Sequence, residues 1–393
     1  MGGVVRRRVV FHVAGYDPSP PDAMRRRFAR ELRRFEETWA SQATVTDADP
    51  AADASWRVAA AGPNWQVETD FRLVRWDDII AEAGRRSMAR RVPLGLFAFA
   101  DFAFHALVRY LRANWRYALF FLFPLLLFCL FGAAALFAGK LIAVATGSAL
   151  LGIFAAVVIL AVLMRWPGEK LYLPLLFDDW IFSRGYVRSR HGALESRLDR
   201  IAKDIVALAQ QGAADEILIV GHSLGAALAI DLLDRALLLD PDLGAHGTRI
   251  GLVSVGSSIL KIGLHARATR FRSAVQRVAA AGGIFWGDYQ ALSDVMNFYK
   301  KDPVATMGLP TTGRPVVRMV RFRHMLDPAI YARMRYDPYR MHCQFVSGNN
   351  RRAAYDYFML VCGPLAAEDQ AHLPEGPVSA LAADGSLIID TAR

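Results

Sequence analysis

Five consecutive residues, Gly221-His222-Ser223-Leu224-Gly225, put a serine at the centre of a G-x-S-x-G spacing. The apolar run Glu216 to Val220 before them reads as a short buried strand, and Ala226 to Leu239 after them has a helical pattern. The serine therefore sits on a tight strand-to-helix turn, where glycines at 221 and 225 remove side chains that would clash. A hydroxyl held there stands clear of the sheet edge and can attack an acyl carbon, with the Leu224 N–H at the helix start to stabilise the oxyanion that forms. Serine is a weak nucleophile alone and needs a histidine base oriented by a carboxylate. Downstream, Asp288, Asp294 and Asp302 are the carboxylates on offer, and His324 and His342 are the bases.

Gly-His-Ser-Leu-Gly followed by Ala-Ala-Leu-Ala resembles the nucleophile elbow of the lipase and esterase branch of the α/β-hydrolases. The resemblance covers the residues outside roughly 85 to 185. It implies the chain order Ser, acid, His. Lys300-Lys301-Asp302-Pro303-Val304 is similar to the Asp-x-Val turn that carries the acid in such lipases, which makes Asp302 the first choice over Asp288 and Asp294. His342, in Arg340-Met-His-Cys-Gln-Phe-Val after a long loop and before a helix-like segment at 351–361, matches the place of the family's histidine better than His324 does. Gly256-Ser257 is similar to the family's Gly-Ser after the next strand, although the proline that follows there is absent. The second oxyanion donor is expected from the loop His12-Val13-Ala14-Gly15-Tyr16, at Val13 or Ala14, with Val13 standing where the family often has glycine.

These groups need elements to hold them. Val4 to Phe11 reads as a strand, and a helix follows from about Pro21 to Trp39, with Phe28, Leu32, Phe35 and Trp39 at helical spacing. After a polar link, Ser55 to Ala60 and Trp65 to Trp76 form a hairpin around Gly62-Pro63-Asn64. A helix at about 194–211 precedes the elbow, and strands are expected at Arg249 to Val255, Asp294 to Tyr299 and Val316 to Arg323. Lys261 to Phe285 has a basic, helix-like pattern and is a candidate lid. His191, His246 and His265 are isolated and read as solvated.

Between Tyr117 and Met164 the only charged residue is Lys140. A span takes about 20 apolar residues, so two membrane helices are expected, at about 117–138 and 142–164, with a turn near Gly139-Lys140. Pro93 to Leu111 is aromatic but carries Asp101 and His105, and so reads as an interfacial helix. Arginines flank the apolar region on both sides, which by the positive-inside rule puts both of its ends in the cytoplasm. The net charge of +10 comes mostly from these and other arginines, and an anionic lipid surface accounts for them better than nucleic acid does, since no stacking aromatics interleave with them. The start of the sequence has no signal-peptide core, and three scattered cysteines favour a reducing compartment. Alanine and arginine usage suggests a GC-rich bacterium, hence its inner membrane.

The sequence thus predicts the α/β class: an α/β-hydrolase-like, mostly parallel sheet flanked by helices, divided between residues 1–84 and 186–393, with a membrane insertion at 85–185. The expected activity is hydrolysis of a carboxylic ester by Ser223, His342 and Asp302, on a lipid or other lipophilic ester, with the bilayer as partner. No metal or cofactor motif accompanies the site. A membrane scaffold that keeps the fold without turnover is the alternative.

Overall fold

The computed structural model describes residues 4–47, 54–245 and 247–388. The chain divides into two compact units, one formed by Met1–Ile80, His191–Leu264 and Ala268–Arg393, the other by Ala81–Arg190 with His265–Arg267.

The first unit is built on one eight-stranded sheet, ordered β2-β3-β4-β1-β5-β6-β7-β8. The strands are β1 (Arg7–Val13), β2 (Gln42–Asp47), β3 (Ser55–Gly62), β4 (Trp65–Leu73), β5 (Glu216–His222), β6 (Arg249–Val255), β7 (Ile284–Ala291) and β8 (Val316–Val320). Antiparallel pairing is confined to β2–β3 and β3–β4, and every other neighbour pair is parallel. The central strands β5, β6 and β7 are buried along their length, as expected where helices cover both faces of a parallel sheet. At the start of β1 the buried Arg8 donates to Glu216 of β5 at 2.6 Å and to the carbonyls of Gly363 and Leu365 at 2.8 Å each, so its charge is paired and its donors are used.

Strand β1 is the pivot. From it the chain runs through the helix Pro21–Trp39 to the β2–β3–β4 side and later returns on the other flank as β5. The carboxyl ends of β1 and β5 therefore border a topological switch point, the place where open α/β sheets hold ligands. The loops His12 to Tyr16 and His222 to Leu224 leave the sheet there.

The predicted hairpin 55–76 and the helix Pro21–Trp39 form as expected. Two strands go beyond the sequence reading. β2 forms in the polar link after Trp39, and β7 begins inside the stretch read as helix-like, of which only Ile259–Gly263 and Thr269–Ala280 are helical. Residues 294–299, expected as a strand, are turns instead, because Asp294 and Asn297 fold the backbone on itself through Met296 N–H to Asp294 and Asn297 Nδ2 to the Asp294 and Ala291 carbonyls.

In the second unit three helices are long and apolar enough to cross a membrane: Met88–Ala113, Trp115–Thr146 and Ala149–Lys170. The turn between the latter two lies at Gly147-Ser148, not at Gly139-Lys140. Gly147 adopts the left-handed conformation that ends a helix, and Ser148 caps the next one. Gly139 instead lies within the first helix of this hairpin, where an added Cβ would come within 2.6 Å of the Gly152 carbonyl and 2.8 Å of the Ala156 Cβ.

Candidate active site

The elbow forms as the spacing predicts. β5 ends at His222, the helix Gly225–Leu239 begins three residues later, and Ser223 between them has φ +55. For a serine this left-handed conformation is strained and holds only because its surroundings fix it. Ser223 N–H donates to the Val255 carbonyl at 3.1 Å, and the Ser223 carbonyl accepts from Ser258 N–H at 3.0 Å and Ala226 N–H at 3.1 Å. Its side chain is half-buried and so remains reachable.

The loop after β1 packs directly on the elbow. An added Cβ at Gly225 would lie 2.2 Å from the Val13 carbonyl oxygen and 2.3 Å from that of Ala14. The Ala14 carbonyl also accepts from the Trp76 indole at 3.1 Å. In a trans peptide the N–H points opposite to the C=O, so the N–H groups of Ala14 and Gly15 face away from Gly225. Gly15 is the loop residue set against the serine: a Cβ there would meet the Ser223 Cβ at 2.9 Å. Val13 and Ala14 thus present carbonyls, not N–H groups, to Gly225. Leu224 occupies the N-cap of the elbow helix, where first-turn N–H groups have no partner inside the helix.

His342 lies on the short helix Pro338–Cys343 and is 4% exposed. Its Nδ1 meets Asp294 Oδ2 at 2.8 Å. Its Nε2 is buried with no hydrogen-bond partner among the described residues. Gly256, with φ +53, makes room for it: a Cβ there would stand 3.2 Å from His342 Cε1 and 2.7 Å from Phe345. Val255 accepts from Ser223 N–H, and a Cβ on the next residue, Gly256, would press on the imidazole, so this stretch of backbone runs between the serine and His342.

The carboxylate that meets His342 is therefore Asp294, while Asp302, the first choice from the sequence, is engaged elsewhere. The Asp302 side chain accepts from Val304 N–H at 2.7 Å and Ala305 N–H at 3.1 Å, capping the helix Pro303–Thr306. Asp288, the other competitor, is fully buried on β7 and is held by Ser254 and by Gln290 Nε2 at 2.6 Å. Burial raises its pKa to about 6. His324 is exposed on the helix Phe322–Met325, beside Arg323. The signal that points to Asp294 is β7 itself: once Ile284–Ala291 is recognised as a strand, Asp294 falls in the first loop after it.

Two more buried histidines line this region. His12, at the end of β1, accepts from or donates to the Tyr357 hydroxyl at 3.1 Å, and burial followed by the nearby Arg27 lowers its pKa to about 3. His222 lies with its ring centroid 4.6 Å from that of His342, and burial, then the neighbouring His342 and His12, hold its pKa well below the usual 6.5.

His265, expected to be solvated, is wholly buried in the second unit. With Asp101 and His105 it forms a group of three whose ligating atoms lie within 4.8 Å of one another. That group suits hydrogen bonding better than a metal. Asp101 already takes Arg188 at 2.6 Å and Arg184 at 3.5 Å. Arg267 N–H donates to His265 Nδ1 at 3.2 Å, which puts the ring proton on Nε2, 3.4 Å from Asp101 Oδ2. His246 lies outside the described residues.

Comparison of the chain with protein-family models, with curated proteins and with solved structures gives no match.

Proposed function

We propose that this protein is a membrane-held serine hydrolase that cleaves carboxylic esters, with Ser223 as nucleophile, His342 as base and Asp294 as the orienting acid. The observation that carries the reading is the buried His342–Asp294 hydrogen bond beside a serine in the strained elbow conformation. In this scheme Asp294 fixes the His342 tautomer with the proton on Nδ1, which leaves Nε2 to take the Ser223 proton. Ser223 Oγ then bonds to the carbonyl carbon, and the oxyanion is held by the N–H of Leu224 and by those of Ala14 and Gly15. His342 returns the proton to the leaving alkoxide, and water completes the cycle in a second attack.

A lipophilic ester is the substrate class this reading favours, because the hydrolase unit is tethered to an apolar hairpin. The sheet supplies a constraint on topology. β1 and β4 precede the three apolar helices and β5 follows them, yet β1 pairs with both β4 and β5. A chain that leaves and rejoins one sheet crosses the bilayer an even number of times. That supports two crossings, by Trp115–Thr146 and Ala149–Arg165, with Met88–Ala113 lying in the interface. The flanking arginines favour the cytoplasmic side for the sheet.

The test is labelling of isolated membranes with a fluorophosphonate probe. Wild type should label, Ser223→Ala should not, and His342→Ala and Asp294→Asn should each slow labelling by about ten-thousand-fold. Folded, inserted wild-type protein that fails to label would remove the proposal.

A further inference from the structure

The residue between glycine and serine in the motif, His222, has no task in the scheme above, yet it is buried against the base. Its Nε2 lies 3.2 Å from the His342 carbonyl oxygen, which can only accept, so His222 Nε2 carries the proton and donates it. That carbonyl lies in the last turn of the helix Pro338–Cys343, where C=O groups lack intrahelical partners. The rings of the two histidines lie 4.6 Å apart at 34°. One side chain thus makes two contacts to the base, one to its backbone and one to its ring, from the residue next to the nucleophile.

We propose that His222 is a positioning residue that ties the helix carrying His342 to the nucleophile's turn through this hydrogen bond. The inference rests on the serine hydrolase reading. Chemistry of this kind requires the base to be held within a fraction of an ångström of the hydroxyl. Asp294 fixes the imidazole about its Nδ1. His222 fixes the backbone from which that imidazole hangs. The groups facing His222 are His342, His12 and, by longer-range charge, Arg27. None of them is an anion, so the ring stays neutral and can keep its single proton on Nε2 for the carbonyl.

Two substitutions separate this role from simple packing. Gln at 222 can place an amide N–H near the position of the histidine Nε2, whereas Phe keeps the ring and its packing but has nothing to donate. The labelling rate of His222→Gln is expected to stay within about threefold of wild type, and that of His222→Phe to fall about tenfold or more. Hydrogen exchange over residues 338–346 should rise in His222→Phe and hold in His222→Gln. A packing role predicts the reverse order, with Phe the better replacement, and that order overturns the inference. So does equal labelling by both variants, or unchanged exchange in His222→Phe. The wild-type control keeps the two claims apart: failure of wild type to label removes the hydrolase reading, while the exchange comparison still tests the tie between His222 and His342.

Discussion

The elbow helix Gly225–Leu239 and the second hairpin helix Ala149–Arg165 are both dominated by leucine, alanine, isoleucine and valine, yet their surroundings are opposite. In the elbow helix the side chains from Ala226 to Leu233 are buried. In the hairpin helix only Gly152 and Met164 are buried, while Leu150 is 80% exposed and Phe154 68%. Apolarity says that water is excluded and does not say what excludes it. The charges make that distinction. The elbow helix carries Asp231, Asp234 and Arg235, paired at its edge with Arg270, Arg277 and Asp199. The hairpin helix has no charge before Arg165. A helix covered by protein still needs an aqueous edge, whereas a helix covered by lipid has none.

The sharpest way to break this contrast is to place a charge on each helix. Ala229→Asp puts an unpaired carboxylate where the native side chain is fully buried, and should cost on the order of 5 kcal/mol, enough to unfold the sheet unit and end labelling even in detergent. Val157→Arg should cost about 2.5–3.5 kcal/mol of membrane insertion. It should lower the amount of protein in the membrane while the extracted, folded fraction still labels. Equal loss of labelling in both variants after extraction would mean that the hairpin helix is covered by protein after all.

A second contrast lies in how the sheet unit responds to pH. The folded chain refuses a proton at His12 down to about pH 3, whereas an unfolded chain takes it near 6.5. Across that window the unfolded state binds more protons, so stability rises with pH, is complete above 6.5 and is lost on acidification, by on the order of 5 kcal/mol. Asp288 has the opposite sign. Its folded pKa of about 6 lies above the ordinary 3.8, so the folded state binds more protons and stability falls as pH rises between those values. In melting curves of detergent-extracted protein from pH 3.5 to 7, His12→Gln should flatten the acid loss and Asp288→Asn should deepen it. Parallel curves for both variants would mean that these groups titrate alike in the folded and unfolded states.

Much of this arrangement is legible in the sequence where one local rule decides it. The elbow follows from glycine spacing between a strand and a helix, and β6 at Arg249–Val255 contains the apolar run Ile250 to Val253. β7 is harder to read, since Gly287, Asp288 and Gln290 interrupt its pattern and their burial depends on partners in β6 and in the 300–301 loop. With β7 hidden, Asp294 reads as the start of a strand, and the resemblance points to Asp302 as the acid. The same gap applies to the hairpin turn. Gly139-Lys140 has the composition of a turn, but Gly139 serves the close approach of the two helices, which only their pairing reveals.

That close approach gives the next test. Gly139→Leu would drive a side chain into the Gly152 backbone and Ala156 and should cost about 1–3 kcal/mol of hairpin stability. Protease resistance of residues 115–165 in membranes should fall, and labelling at Ser223 should persist. A variant as resistant as wild type would show that the helices can separate at this level without cost.

The smallest expected effect concerns Asp302, and it is informative because it is small. Both Asp294 and Asp302 are carboxylates in the loops after β7, and each accepts backbone N–H groups two or three residues on. Only Asp294 also reaches an imidazole. Asp302→Ala removes a helix cap and should cost about 1 kcal/mol of stability with the labelling rate near that of wild type. Asp294→Asn keeps the shape and loses the charge, and should abolish nearly all of the rate while changing stability far less. If Asp302→Ala instead removes activity from a protein that melts like wild type, the loop rearranges on binding substrate and the acid must be reassigned.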